Sequence, residues 1–113
     1  MNYNDLTDFE INSRAAERQG VGPLDDVRVS DCGGLLFSNY KVYNPCKNPQ
    51  DAFPIIFENR IEIHPRDIRV SRNKYIKGWG AVPESCSRNY EIFSEGENPL
   101  RAAMIVYLMM GDE

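Results

Sequence analysis

The sequence predicts an α+β fold, in which a small antiparallel sheet is sandwiched by an N-terminal and a C-terminal helix (α-β-α). Two observations predict it. Helix-capping residues occur near both ends of the chain, and the segment between them alternates apolar and polar residues as strands do. The 113 residues are 42% hydrophobic and 27% charged, which is typical of one globular domain. We therefore expect a single domain over residues 1–113.

The first helix has a start signal and a stop signal. Thr7 is a good N-cap, and Glu10 three residues later completes a capping box. Gly20 accepts the left-handed conformation that ends many helices. The predicted helix covers residues 8–19.

Short strands are predicted in the segment that follows. Residues 27–29 alternate as Val-Arg-Val, and Gly33-Gly34 marks a turn. Residues 35–43 are rich in leucine and aromatic side chains, which predicts one strand that Asn44-Pro45 closes.

A segment that contains Pro49 and Pro54 separates these strands from the next. Asn48-Pro49 could start a helical turn, with asparagine as the cap and proline at the first position. Pro54 would then kink or end this turn. Ile55-Ile56-Phe57 follows, and we expect these three residues to form a buried apolar block.

Two strands are predicted beyond this block. Residues 61–63 alternate strictly, and His64-Pro65 should break the strand. Residues 66–73 are polar and predict a loop, although Ile68 and Val70 within it could add a short strand. Residues 75–82 alternate around Trp79, so we expect them to pair antiparallel with residues 61–63.

The last helix is the most apolar part of the chain. Asn98 can cap it, Pro99 suits its first position, and Gly111 ends it. Between residues 100 and 110 only Arg101 is polar. A helix that is apolar on nearly every side is either enclosed in a core or half of an interface.

Four short stretches, in order from the first helix to the last, carry a family resemblance. They are LTDFEIN at residues 6–12, PII at 54–56, WGA at 79–81 and NPLRAAM at 98–104. They resemble the opening, the central motif, the Trp-x-Ala strand and the C-terminal signature of the NinX-like family of small proteins from lambdoid phages and enteric prophages. Phe53 fills the place of the aromatic residue that this family carries before its central motif.

The resemblance implies a fold and a setting rather than a reaction. It implies helices that sandwich a small sheet (an ABA sandwich), and genes found among phage replication and recombination accessories. No activity is assigned to the family, so the resemblance supplies no catalytic residue and no cofactor. We expect a phage or prophage accessory protein.

The sequence offers no catalytic or metal-binding pattern. His64 is the single histidine and has no local partner for general-base chemistry. Cys32, Cys46 and Cys86 lack the paired spacing of structural zinc sites, so we expect reduced thiols and no metal. The start of the chain has no signal-peptide pattern, and the apolar run at 102–110 is too short to span a membrane. We expect a non-enzymatic protein, soluble in the cytoplasm of the bacterial host cell, that needs no cofactor.

Charge is distributed unevenly. The chain carries −4, residues 60–80 carry +4, and the remainder therefore carries −8. We name residues 66–77 the basic segment. Its candidate nucleic-acid-binding residues are Arg66, Arg69, Arg72, Lys74, Lys77 and Tyr75. Cations neutralise phosphates and aromatic rings stack on bases, so single-stranded nucleic acid is one candidate partner. A solvated turn that discourages strand pairing is the simpler alternative.

The last helix suggests a different partner. If the sheet does not cover it fully, some side chains stay exposed and form a partner surface or a dimer interface. The candidate interface residues are Met104, Tyr107, Leu108 and Met110. Complete burial is the alternative. The leading hypothesis is therefore an accessory protein that binds another protein or itself, and the second is nucleic-acid binding by the basic segment.

Overall fold

The described part of the chain contains three α-helices, a short 3-10 helix (Tyr3–Asp5) and two three-stranded antiparallel sheets. The computed structural model describes residues 3–20, 28–29, 34–36, 42–84 and 92–111. The helices are α1 (Asp8–Gln19), α2 (Pro49–Glu58) and α3 (Pro99–Gly111). One sheet contains β1 (Arg28–Val29), β2 (Leu35–Leu36) and β3 (Val42–Tyr43), and the other contains β4 (Ile61–Ser71), β5 (Lys74–Pro83) and β6 (Ser94–Gly96). The predicted α+β class, with helices flanking a sheet, is confirmed.

Helix α3 lies at the centre of the fold. It contacts β4, β5 and β6 as well as α1 and α2, so it is covered on several sides. This explains why its sequence is apolar nearly all the way round. Helix α1 packs on α3 and on β2. Of the two possibilities for the last helix, enclosure in the core or half of an interface, the structure shows enclosure in the core.

Helix α1 has the predicted bounds and caps. The Thr7 hydroxyl accepts a hydrogen bond from the Glu10 backbone, and the Glu10 carboxylate accepts one from the Thr7 backbone. Gly20 ends the helix with φ 68° and donates its N–H to carbonyls of the last turn.

We expect Gly20→Ala to lower the free energy of unfolding by about 1–2 kcal/mol, because only the left-handed backbone opposes an added Cβ. No heavy atom lies within 4 Å of that Cβ, so no steric contact adds to the cost. Chemical denaturation measures the effect. Gly20→Asn is the matched variant, because asparagine tolerates this conformation better. An alanine variant as stable as the parent would contradict the expectation.

The strand predicted over residues 35–43 is wrong. Leu35 pairs with Tyr43, and Leu36 pairs with Val42, so the two ends of this segment face each other as β2 and β3. Periodicity and composition predict strands but do not reveal a reversal of the chain inside a β-prone segment. The predicted strand at 27–29 corresponds to β1, although residue 27 and Gly33 lie outside the described residues.

Helix α2 continues through Pro54, contrary to the prediction that proline would kink or end it. Asn48 caps the helix and Pro49 occupies its first position, as predicted. Ala52, Ile55 and Ile56 are buried in the main core, and their burial offsets the backbone hydrogen bond that proline cannot make.

Strands β4 and β5 form a hairpin much longer than predicted. Pairing runs from Ile61 with Pro83 to Ser71 with Lys74, with an irregularity between Arg69 and Ser71. The predicted break at His64-Pro65 and the predicted loop at 66–73 are therefore wrong, while the antiparallel pairing is confirmed. Proline is tolerated because β4 is an edge strand of its sheet. Strand β6 has no counterpart in the predictions.

Glycines in the central strand let side chains of β4 lie across it. The Ile68 side chain occupies the space over Gly78, and the His64 ring lies over Gly80. His64 thus packs within the sheet rather than ending a strand. Both glycines are buried.

A buried polar cluster joins α1 to the segment before α2. The Asn12 side chain donates to Asn44 Oδ1 at 2.8 Å and accepts the Cys46 N–H at 3.1 Å. The Asn98 side chain donates to the Cys46 carbonyl at 2.6 Å, and its oxygen caps α3. Asn12 is fully buried. Its hydrogen bonds therefore satisfy polar groups whose burial without partners would lower the stability of the fold.

Candidate functional site

The predicted interface residues of the last helix lie mainly inside the protein. Met104, Tyr107 and Leu108 are buried, and only Met110 is partly exposed. Complete burial, the alternative to a partner surface, therefore describes three of the four side chains.

Tyr107 is held by contacts within the chain. The Arg18 guanidinium lies 4.0 Å from the Tyr107 ring centroid and donates to the Tyr107 carbonyl. The Gln19 side chain donates to the Tyr107 hydroxyl at 2.6 Å. These contacts join α1 to α3, so Tyr107 has a structural role.

The basic segment forms the far end of the β4–β5 hairpin. Strand β6 pairs only with Trp79, Gly80 and Ala81, so it does not extend along the basic segment. The segment is consequently a two-stranded ribbon that ends in a turn at Arg72 and Asn73.

The pairing register sorts the candidate residues between the two faces of this ribbon. Residues that pair directly share a face. Arg69 pairs with Tyr75, and Lys77 pairs with Asp67, which places the side chains of all four on one face. Lys74 is one residue from Tyr75 along the strand and therefore belongs to the opposite face.

Two of the arginines already have partners within the chain. Arg66 Nε lies 2.5 Å from Glu95 Oε2, and the Arg66 guanidinium lies 4.7 Å from the Phe93 ring centroid. The Arg69 guanidinium donates hydrogen bonds to the carbonyls of Ser71 and Arg72, and these bonds stabilise the turn. Arg72, Lys74 and Lys77 remain exposed.

Two aromatic side chains of β5 face solvent. Tyr75 is 60% exposed and Trp79 is 38% exposed. A tryptophan at strand spacing usually belongs to a core. Its position near the end of β6, where the sheet narrows to two strands, explains the exposure.

Helix α2 presents an apolar surface that the sequence analysis missed. Phe57 is 72% exposed and Phe53 is 43% exposed, with ring centroids 5.5 Å apart. The prediction of a buried block at Ile55-Ile56-Phe57 is therefore wrong for Phe57. A helical period through Pro54 would have revealed it, because Phe53 and Phe57 are four residues apart and share the face opposite the buried one.

An open pocket of about 450 Å³ adjoins this surface. Six residues line it: Ile56, Phe57, Arg60, Ile61, Glu62 and Glu84. We define the α2 patch as Phe53 together with these six residues.

The rim of the pocket is charged. Arg60 and Glu84 form an ion pair, and their hydrogen bond lowers the pKa of Glu84 and raises the pKa of Arg60. Arg60 has φ 53°, the one non-glycine residue with positive φ in the described part of the chain. This left-handed backbone joins α2 to β4 and costs about 1–2 kcal/mol for a residue with a Cβ.

Of the three cysteines, Cys46 lies within the described residues, and its thiol is free and buried. Burial raises the pKa of the Cys46 thiol to about 12, and the charge of Asp8 acts in the same direction. Such a thiol stays neutral and packs as an apolar group. Cys32 and Cys86 lie outside the described residues. Within the described residues, no group of three or more histidine, cysteine, aspartate or glutamate side chains could hold a metal ion.

The described helices include none that is long and apolar enough to cross a membrane.

Comparison with known proteins gives one positive result. No curated protein and no solved structure matches this chain. A family model described as "Bacteriophage P22, NinX" matches residues 2–111, which is nearly the whole chain. The family resemblance of the four sequence stretches is thereby confirmed, and the chain belongs to the phage P22 NinX family.

Proposed function

We propose that this chain is a non-enzymatic phage accessory protein that acts in the host cytoplasm by binding another protein through the α2 patch. The exposure of Phe57, at 72%, carries the proposal. A large aromatic side chain beside an apolar pocket is the kind of group that supplies most of the binding energy in protein interfaces. The pocket lining offers Ile56 and Ile61 as apolar contacts, while Arg60 and Glu84 neutralise each other.

The charges around the patch indicate the chemistry of the partner. Glu58 and Glu62 are exposed, while Arg60, the one cation in the pocket lining, is paired with Glu84. Outside residues 60–80 the chain carries −8. We therefore expect a protein that places an apolar side chain in the pocket and surrounds it with lysine or arginine, because complementary charges favour encounter and specificity.

The test is capture of partners from a phage-infected host lysate after nuclease treatment, with the parent chain and with Phe57→Gln. We expect the variant to lose at least about tenfold in affinity for the captured protein, as hot-spot residues do. Tyr75→Gln is the matched control, because it removes an exposed aromatic side chain elsewhere. Both variants should keep the free energy of unfolding within about 0.5 kcal/mol of the parent.

Three outcomes are informative. Loss of capture with Phe57→Gln and retention with Tyr75→Gln support the proposal. Equal capture by all three proteins contradicts it, since the partner would then bind elsewhere. A molecular mass that doubles in the parent and not in Phe57→Gln identifies a second copy of this chain as the occupant and contradicts a basic heterologous partner.

Nucleic-acid binding by the basic segment is the second candidate function. The observation that favours it is the ribbon itself, which extends beyond β6 and carries exposed Arg72, Lys74 and Lys77. The acidic remainder of the chain opposes non-specific attraction to phosphates, so binding would have to be local to the ribbon.

A further inference from the structure

One face of the β4–β5 hairpin carries two exposed aromatic rings with a cation between them. Tyr75, Lys77 and Trp79 alternate along β5, so their side chains share a face. The residues that pair with them across β4 are Arg69, Asp67 and Pro65. We name these six residues the Tyr75–Trp79 face.

The spacing of the rings suits successive contacts along an extended chain. Neighbouring residues on one face of a strand are about 6.6–6.8 Å apart, so Tyr75 and Trp79 are separated by roughly 13 Å with Lys77 midway. Arg69 lies opposite Tyr75, although its guanidinium also holds the turn carbonyls. The face therefore places one cation, Lys77, midway between two aromatic rings.

The opposite face lacks such a surface. There the side chains of His64, Arg66 and Ile68 lie across the central strand at its glycines. Arg66 is paired with Glu95. Lys74 contributes a cation at the end of that face. A ligand that needs stacking surfaces would therefore distinguish the two faces, whereas a ligand that needs only positive charge would not.

We propose that the Tyr75–Trp79 face binds single-stranded nucleic acid, with Tyr75 and Trp79 stacking on bases and Lys77 neutralising a phosphate. A single strand exposes its bases to aromatic side chains, while a duplex keeps them within its own stack. Asp67 lies opposite Lys77 and offsets part of its charge, so stacking supplies most of the affinity. The inference rests on the second candidate function, nucleic-acid binding by the basic segment.

Intrinsic fluorescence tests the inference directly, because Trp79 is the single tryptophan of the chain. The probe is a mixed-sequence single-stranded DNA of about 16 nucleotides, within the range that small single-strand-binding domains cover. The same sequence as RNA and as duplex DNA are the other two arms. We expect single-stranded DNA and RNA to quench Trp79 with similar affinity and the duplex to bind at least about tenfold more weakly, since its bases cannot stack on the rings.

Substitutions separate stacking from charge. Tyr75→Ala should weaken single-strand binding by about 5- to 150-fold, the loss measured for one base–aromatic contact. Lys77→Gln should reduce the slope of log affinity against log salt by about 0.7, the value for one phosphate contact on a single strand. Lys74→Gln removes the same charge from the opposite face and should reduce that slope less than Lys77→Gln does. The altered side chains are exposed, so the variants should fold as the parent does.

Several results would overturn the inference, and they differ in what they imply. Duplex binding equal to single-strand binding, with equal salt slopes for Lys77→Gln and Lys74→Gln, means that the ribbon attracts phosphates generally. Nucleic-acid binding would then stand without the stacking face. Unchanged affinity in Tyr75→Ala overturns the role of that ring. No binding of any probe at low salt removes both the inference and the function on which it rests.

Discussion

Replacing Asn12 with alanine is expected to lower the free energy of unfolding by about 2–4 kcal/mol, the cost of losing buried hydrogen bonds and leaving a buried donor without an acceptor. Asn12 is fully buried in α1, and its side chain makes hydrogen bonds to Asn44 and Cys46. In the variant the Cys46 N–H keeps no acceptor in the protein, and it is buried away from solvent. Removing this side chain therefore weakens the connection of α1 to the segment that leads into α2.

Chemical denaturation of the parent and the variant measures this effect. Asn59→Ala is the matched control, because the Asn59 side chain makes one hydrogen bond, to the Ile55 carbonyl at 2.8 Å, and is only half-buried. The control should lose about 1 kcal/mol or less. Equal losses in the two variants would show that burial of the Asn12 cluster adds nothing, which contradicts the expectation.

Gly78→Ala is expected to lower the free energy of unfolding by about 1–3 kcal/mol through steric overpacking. A Cβ at this position would collide with the Ile68 side chain and lie 2.8 Å from the Gly96 carbonyl oxygen. The Ile68 side chain can rotate away. The Gly96 carbonyl belongs to the backbone of β6, so the pairing of β5 with β6 would have to shift.

Two other glycines of the sheet provide a graded comparison. At Gly80 the added Cβ would meet the His64 ring at 2.6 Å, and a side chain can move aside at lower cost. At Gly96 nothing lies within 4 Å, so alanine should be neutral or stabilise slightly by restricting the unfolded chain. The expected order of stability is Gly96→Ala, then Gly80→Ala, then Gly78→Ala. A Gly78 variant as stable as the Gly96 variant would contradict the close approach of β5 to β6.

The first and last helices were predictable because their signals are local. The capping box at Thr7 and Glu10, the Asn98-Pro99 start of α3 and the terminal Gly20 act within a few residues of the chain. Hydrogen bonds of this kind form between neighbours in sequence, so the sequence alone determines the ends of α1 and the start of α3.

The long hairpin was not predictable in the same way. His64 and Pro65 look like a break, and residues 66–73 are polar apart from Ile68 and Val70. Alternation of apolar and polar residues reveals a strand only where one face is buried. The basic segment has solvent on both sides, so its strand pairing depends on partners across the hairpin rather than on its own pattern.

In the candidate sites, too, some features could be predicted from the sequence and others depended on tertiary contacts. The basic residues and Tyr75 could be named from composition, but composition could not assign Lys74 and Lys77 to opposite faces. The exposure of Phe57 was missed because Pro54 suggested the end of a helix. Burial of Ile55 and Ile56 in the core stabilises α2 on both sides of that proline. With these two residues buried, the side chain of Phe57 lies on the solvent-exposed side of the helix.

The sequence by itself determined the α+β class, the capped helices, the family and the uneven charge of this protein. The tertiary structure decided that α3 is enclosed, that the basic segment is a paired ribbon, and that Phe57 and Trp79 face solvent. The physical reason is the range of the interactions. Caps, turns and charges act between residues close in sequence, whereas burial and strand register depend on which distant residues pack together.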